Sequence, residues 1–423
     1  VTAPAGREPA GVSRAAGGPA LELVADARQV LAPGPSSVRQ QPSHAVLLGG
    51  ARDPGRRPET ATLDAIVVPA ARGAASLRSA LDLSARLGVQ LVALCSRRTR
   101  AFEVAELASR TPGARVLAID VPAHYTHAIL PGRTAASPFT EASVGRTSDL
   151  SLKRNLGLLL ARLHGWGKIL FLDDDIATPR GAGPGLDAAT VQRLGRELDS
   201  RQVAGLVCRS FPDNSVVCHA RRLAGLPQDN FVTGGALGVN CSDQPLPFFP
   251  DIYNEDWFFF SRHAASRELS QVGEARQTPY DPYENPLRAR QEEFGDLLAE
   301  GLYALFDRQP TEMPFDERLR GATAGYWEHF IAARRADLTR TAVLLRRRPD
   351  RPARRAVRSL RAATDQLDRI GPQLCADFLT AWQADLADWE RATLRLNGLG
   401  TSRAAVGYLG LSAVEPTGLL EVG

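Results

Sequence analysis

Lys168-Ile169-Leu170-Phe171-Leu172-Asp173-Asp174-Asp175-Ile176 joins an apolar run to three adjacent carboxylates. A short apolar run after Gly165-Trp166-Gly167 fits a strand buried on both faces, as in a parallel sheet. In open α/β sheets, ligands sit in the crevice outside the carboxyl ends of the strands, and this strand ends in three carboxylates. Adjacent carboxylates repel one another and are tolerable when solvated or neutralised by a cation. Oxygen-rich sites suit Mg²⁺ or Mn²⁺. The stretch reads as a metal–phosphate site or, alternatively, as a solvated acidic turn before the next helix.

Working upstream, Leu150–Leu163 is predicted to be a helix capped by Ser148 or Asp149, with Lys153-Arg154-Asn155 near its start. A cationic, hydrogen-bonding turn beside an acidic site suits a diphosphate. Asp120–Thr147 reads as a long surface loop holding His124 and His127, for which a metal role is the lesser reading. Before it, Asp64–Ala70, Ala74–Leu87, Val89–Cys95, Thr99–Ala108 and Arg115–Ile119 alternate strand and helix, with Gly88 as a carboxyl cap. That alternation implies right-handed crossovers and a parallel sheet. No GxGxxG follows the first strand, which disfavours a dinucleotide fold. Residues 1–62 read as an irregular leader with short elements at Leu21–Leu31 and Ala45–Leu48. His44–Gly50 gives only a weak hint of a strand and phosphate loop.

Downstream, Pro179–Gly185 reads as a glycine-rich loop and Asp187–Leu198 as a helix. Val203–Cys208 and Ser215–His219 read as strands around a Pro212-Asp213-Asn214 turn. Phe231–Asn240 reads as a strand whose glycines, Gly234 and Gly235 among them, permit close approach. Phe248–Phe260 then holds Asn254-Glu255-Asp256 before an aromatic block that includes Trp257. Either these acids start a helix, or one carboxylate sits at the rim of an apolar pocket where desolvation makes it a useful base. From about Leu287, Gln291–Asp307, Ala322–Arg347 and Arg351–Leu396 are Arg-rich amphipathic segments that read as a helical bundle. The Arg346–Arg355 cluster reads as a solvated face, with an acidic acceptor or anionic membrane surface as the alternative. Gly400–Gly423 reads as an irregular tail with a short strand.

The 423 residues carry a net charge of +4, with 44% hydrophobic and 23% charged residues, which is the profile of a globular protein. No aromatic-interleaved basic stripe marks a nucleic-acid partner. Five scattered cysteines without a CxxC pair argue against a disulfide framework or zinc site. No apolar run is long enough for a transmembrane helix, and the first residues lack the apolar core of a signal peptide. The expectation is a cytoplasmic location, with homo-oligomers through the carboxyl-terminal helices as a further option.

The ordered set of motifs resembles the nucleotide-sugar glycosyltransferases of the GT-A fold, especially glycosyltransferase family 2, over residues 64–285. Asp173-Asp174-Asp175 matches the Asp-x-Asp motif, Asn254-Glu255-Asp256 the Glu-Asp motif, and Lys153-Arg154-Asn155 the helix preceding Asp-x-Asp. The resemblance implies a GT-A-like (Rossmann-like), mostly parallel mixed sheet over 63–286, followed by a helical domain over 287–423. It also implies a metal-dependent transferase moving a sugar from a nucleoside diphosphate to an acceptor hydroxyl, with inversion. Asp175 would bind Mg²⁺ or Mn²⁺ with Asp173, and Asp173 would also face the ribose or base. Asp174 would join the donor side, pointing to the opposite side of the strand. Asp256 would be the general base, placed by Glu255. Pro69, Ala70, Arg72, Ser96, Arg97, Lys153, Arg154 and Asn155 would flank the donor. Gly234, Gly235 and Trp257 would line the sugar or acceptor side. Relatives often supply a later His ligand; Asp281 stands near that position, with His263 as the nearest alternative. The rival readings are a sugar nucleotidyltransferase, a DxDx[TV] phosphohydrolase and a degenerate domain serving as a scaffold.

Overall fold

The strand that precedes Asp173 lies inside a mixed sheet flanked by helices. The computed structural model describes residues 38–50, 62–177, 186–242, 245–416 and the backbone of 418–420. The strands are β1 (Ala65–Ala70), β2 (Gln90–Cys95), β3 (Arg115–Asp120), β4 (Lys168–Leu172), β5 (Ile176–Ala177), β6 (Val203–Cys208), β7 (Val232–Asn240), β8 (Ser270–Gln277), β9 (Ala413–Glu415) and β10 (Gly418–Leu420). They lie in the order β10-β9-β3-β2-β1-β4-β7-β6-β8-β5. β3, β2, β1 and β4 are parallel; β7 runs antiparallel to β4, β6 antiparallel to β7, and β8 parallel to β6. One edge of the sheet therefore carries the carboxyl ends of β1–β4, β6 and β8 together with the amino end of β7. This edge gathers the acidic motifs.

The main helices are α1 (Arg78–Leu87), α2 (Ala101–Ser109), α3 (Leu150–His164), α4 (Ala188–Glu197), α5 (Val216–Leu223), α6 (Glu255–Phe259), α7 (Pro286–Arg308), α8 (Ala324–Arg346), α9 (Arg351–Leu367) and α10 (Pro372–Leu394). α1 ends where Gly88, at φ 66°, donates its N–H to the last turn. Strand side chains alternate between two cores. Ile66, Leu91, Leu170 and Leu172 face α1, α2 and α4, whereas Val67, Val92, Leu117 and Phe171 face α3 and the later helices. α3 can approach the sheet because Gly157 leaves room: a Cβ there would lie 2.7 Å from Phe171 and 2.9 Å from Val67. The second core is continuous from the sheet into α7–α10, and β9 pairs with β3.

Several local expectations change. Ser215–His219 is not a strand: Ser215 caps α5 by accepting from Cys218 N, and a capping serine before an apolar run outweighs the β-branched valines. His44–Gly50 is not a strand with a phosphate loop but a 3₁₀ turn over Ala45–Leu47. Arg351–Leu396 breaks at Gly371-Pro372 into α9 and α10. The readings at Leu21–Leu31 and Pro179–Gly185 lie outside the described residues.

The helical side is tied to residues 40–44 by buried charge. Arg334, fully buried, donates to Glu293 at 3.0 Å and to Asp296 at 2.5 Å, and also to Gln40. Gln40 Nε2 donates to Glu300, and His44 lies 3.0 Å from Glu300 and 3.3 Å from Asp307. Burial opposes charge on His44, but Asp307 and Glu300 outweigh it and raise its pKa to about 9. Arg334→Met leaves two buried carboxylates without a counter-charge and should lower unfolding free energy by about 3–5 kcal/mol in urea titrations. Because His44 titrates above its ordinary 6.5 when folded, its stabilisation is complete below that pH and is lost as pH rises through about 9. His44→Gln should abolish that fall.

Candidate active site

β4 delivers the acidic triplet to a cleft of about 700 Å³ lined by Arg72, Arg97, Lys153, Asp173, Asp174, Asp175, Gln277 and Gln291, among others. The three aspartates have separate surroundings. Asp174 accepts from the backbone N–H groups of Ala71 (2.8 Å) and Arg72 (3.0 Å) and from the Arg72 guanidinium, tying the end of β1 to the end of β4. Its partners differ from those of Asp173, both residues lying just after β4. Asp175 meets Arg72 Nη2 at 2.9 Å and Gln277 Nε2 at 3.1 Å. Burial and Asp173 nevertheless push its pKa up to about 6. Asp173 accepts from Arg154 Nη2 at 3.0 and 3.1 Å.

Arg154 joins the two acidic motifs. It is 2% exposed, sits over the Phe249 ring, and donates through Nη1 to Glu255 Oε1 at 2.7 Å. Glu255 is buried against it. Asp256 is half-buried in the first turn of α6, where its Oδ2 accepts from Gly234 N at 2.7 Å and its Oδ1 from Trp257 N at 3.0 Å. Burial, then the neighbouring Glu255, push the Asp256 pKa up to about 7 against the opposing Arg154. The glycines of β7 make room for these acids. A Cβ on Gly234 would lie 2.6 Å from Asp256 and 2.7 Å from Arg154, and one on Gly235 would lie 3.2 Å from Asp173. The triplet and the Glu-Asp pair thus share one site.

Lys153 is buried beneath the cleft, donating to Ala70 O at 2.9 Å and Ser96 Oγ at 2.6 Å, with Asp149 at 3.3 Å. Burial lowers its pKa. Asp149 stands at the amino end of α3 but makes no side-chain cap; its carboxylate accepts from Ser96 instead. Pro69 and Arg97 line the rim, with Arg97 donating to Thr147 O.

Four expected contributors are engaged elsewhere. Asn155 pairs both ways with the Phe249 backbone at 2.8 Å, so its amide holds the loop before α6. The Trp257 ring packs against Tyr303, His44 and Phe231. Asp281 accepts from Arg355 and from Tyr283 N. His263 faces Gln202, and burial lowers its pKa to about 4. His124 and His127 line a neighbouring cavity of about 990 Å³. Asp213, read from sequence only as part of a turn, follows β6 and accepts from Thr233, placing another carboxylate beside Asp173 and Asp256. The signal for it was topological: β6 antiparallel to β7 puts the residues after β6 next to Thr233.

The donor set suits a hard cation. Asp173, Asp174, Asp175, Asp213, Glu255 and Asp256 face chiefly Arg72 and Arg154, and Asp175 and Asp173 offer oxygen ligands. Asp281 does not complete a three-ligand cluster with them. Among the described residues, the one such cluster is Cys218, Asp296 and Glu300, each offering an atom within 4.8 Å of the others. That group could hold a metal ion, although Arg334, Gln40 and His44 already contact its carboxylates. Two aspartates alone are the typical protein share of a Mg²⁺ site completed by phosphate and water.

No helix among the described residues is long and apolar enough to cross a membrane. No family model matches the chain, and no curated protein matches it.

Proposed function

We propose that this chain is a GT-A-like glycosyltransferase that moves a sugar from a nucleoside-diphosphate donor to an acceptor hydroxyl. The observation that carries the reading is that Arg154 joins Asp173, which lines the cleft with Asp175, to Glu255, the neighbour of Asp256, while Arg72, Arg97 and Lys153 line the same cleft. A cleft of about 700 Å³ is in the range of small-ligand sites. Its cationic wall suits a diphosphate, and its acidic floor would be repelled by one unless a divalent cation intervened.

In this reading Asp175 and Asp173 would hold Mg²⁺ or Mn²⁺, which would supply charge stabilisation for the departing diphosphate. Asp173 also faces the ribose or base. Lys153 fixes Ser96 and the end of β1 in place. Asp256 takes the proton of the acceptor hydroxyl while that oxygen bonds to the anomeric carbon and the bond from that carbon to the diphosphate breaks with its electron pair. Its raised pKa makes it a stronger base than an exposed aspartate. Attack opposite the leaving group inverts the anomeric centre. Glu255 and Arg154 position Asp256 and Asp173.

A thermal-shift panel of UDP-, GDP-, ADP- and dTDP-sugars tests this, because a ligand that binds the native state raises apparent stability. One donor should stabilise the protein with Mn²⁺ and do so less in EDTA; equal shifts remove the metal role, and no shift with any donor favours a scaffold. Asp175→Ala should abolish the Mn²⁺ dependence. Asp256→Asn should keep the donor shift and lower transfer by about 10²-fold or more. Retained turnover would exclude Asp256 as the base.

A further inference from the structure

Seven arginines lie between residues 346 and 358. Four of them, Arg351, Arg354, Arg355 and Arg358, are spaced along one face of α9 and line a cavity of about 570 Å³ with Glu284. The opposite face of α9, with Ala353, Ala356, Leu360 and Ala363, is buried in the core, so the register of the arginines is fixed. Their counter-charges are few. Arg355 pairs with Asp281, and Arg354 donates to the carbonyl of Pro349. No described residue accepts from Arg351 or Arg358.

This arrangement is unfavourable twice. Like charges three and four residues apart on a helix repel, and Arg351 and Arg354 sit in the first turns of α9, where the helix dipole disfavours cations. A bound oxyanion relieves both. Guanidinium groups present planar pairs of N–H donors that match phosphate and carboxylate bidentately, and a concave wall suits a discrete anionic group better than a flat lipid surface.

A short segment of chain links the cavity to the acidic cleft. Thr278 donates to Asp175 O at 2.9 Å. Gln277 and Gln291 line the cleft, while Glu284, between them in sequence, lines the arginine cavity. The six Cα–Cα steps from Thr278 to Glu284 span at most about 20 Å. We infer that the arginine face of α9 holds an oxyanion, phosphate or carboxylate, carried by the acceptor while its hydroxyl occupies the acidic cleft; this rests on the transferase reading above.

The test compares the full chain with its R351Q/R354Q/R358Q variant by titration calorimetry at low salt, with circular dichroism as the folding control. Glucose 6-phosphate and tetragalacturonate are the anionic probes, maltotetraose the neutral one, and vesicles containing phosphatidylserine the lipid surface. One anionic sugar should bind the native chain, at least tenfold more tightly than maltotetraose and tenfold more tightly than it binds the variant, and its affinity should fall with added salt. Which sugar binds separates phosphate from carboxylate. Equal affinity in both proteins, equal binding of the neutral sugar, or arginine-dependent binding of vesicles alone overturns the inference. The donor shift with Mn²⁺, measured on the same samples, should be unchanged by the substitutions. If no donor binds either protein while the arginine-dependent anion signal persists, the transferase reading fails and the anion site stands.

Discussion

The buried guanidinium of Arg154 is the interaction on which the site depends. It is the cation that allows Asp173, at the end of a central strand, and Glu255, about eighty residues later, to occupy one volume. Taking an arginine and two carboxylates out of water carries a large desolvation cost, offset only when geometry and hydrogen bonding are nearly complete. Here the guanidinium meets both acids at hydrogen-bond distance and covers the Phe249 ring. Such a triad contributes little to stability relative to an apolar replacement. Its consequence is positional: Asp256, next to Glu255, is held against the Gly234 N–H, with Asp173 alongside.

That positioning has a second support at the back of α6. Asn254, at φ 62°, donates to Asp296, and Asp296 accepts from Arg334 within the buried network that includes Gln40, Glu293 and, through Glu300, His44. The helices beyond residue 286 therefore brace the element that presents Asp256. Residues 40–44, part of a segment that reads as an irregular leader, supply two of the polar groups in that brace.

Periodicity made the parallel half of the sheet legible, because buried parallel strands are short apolar runs and the helices between them carry a clear apolar stripe. It also revealed the acidic triplet and the Glu-Asp pair, since charged residues next to apolar runs stand out. What it did not reveal was how neighbouring groups occupy each other. Asn155 looks like a ligand-binding amide until the Phe249 backbone is found on it, and Trp257 looks like a sugar platform until its ring is seen against Tyr303 and His44. Asp281 matches a ligand position by spacing, yet Arg355, far along the chain, claims its carboxylate. Asp213 was hidden for the opposite reason: a Pro-Asp-Asn turn is ordinary in sequence, and its proximity to Asp173 comes from strand order alone.

The division of roles within the triplet follows from the same geometry. After β4 ends, Asp173 meets Arg154 of α3 and Asp174 meets the turn after β1. Asp174 fastens that turn through two backbone N–H groups and Arg72. Arg72 is half exposed and also reaches Asp175, so among the described residues the cation touching both later aspartates is a solvent-facing side chain lining the cleft. A carboxylate paired with a half-exposed guanidinium can exchange that partner for another cation without rebuilding the core, whereas Asp173 would add a cation while keeping its buried arginine. The triplet thus combines a fixed member, a structural member and an exchangeable one, and the exchangeable member is where an incoming charge would be felt first.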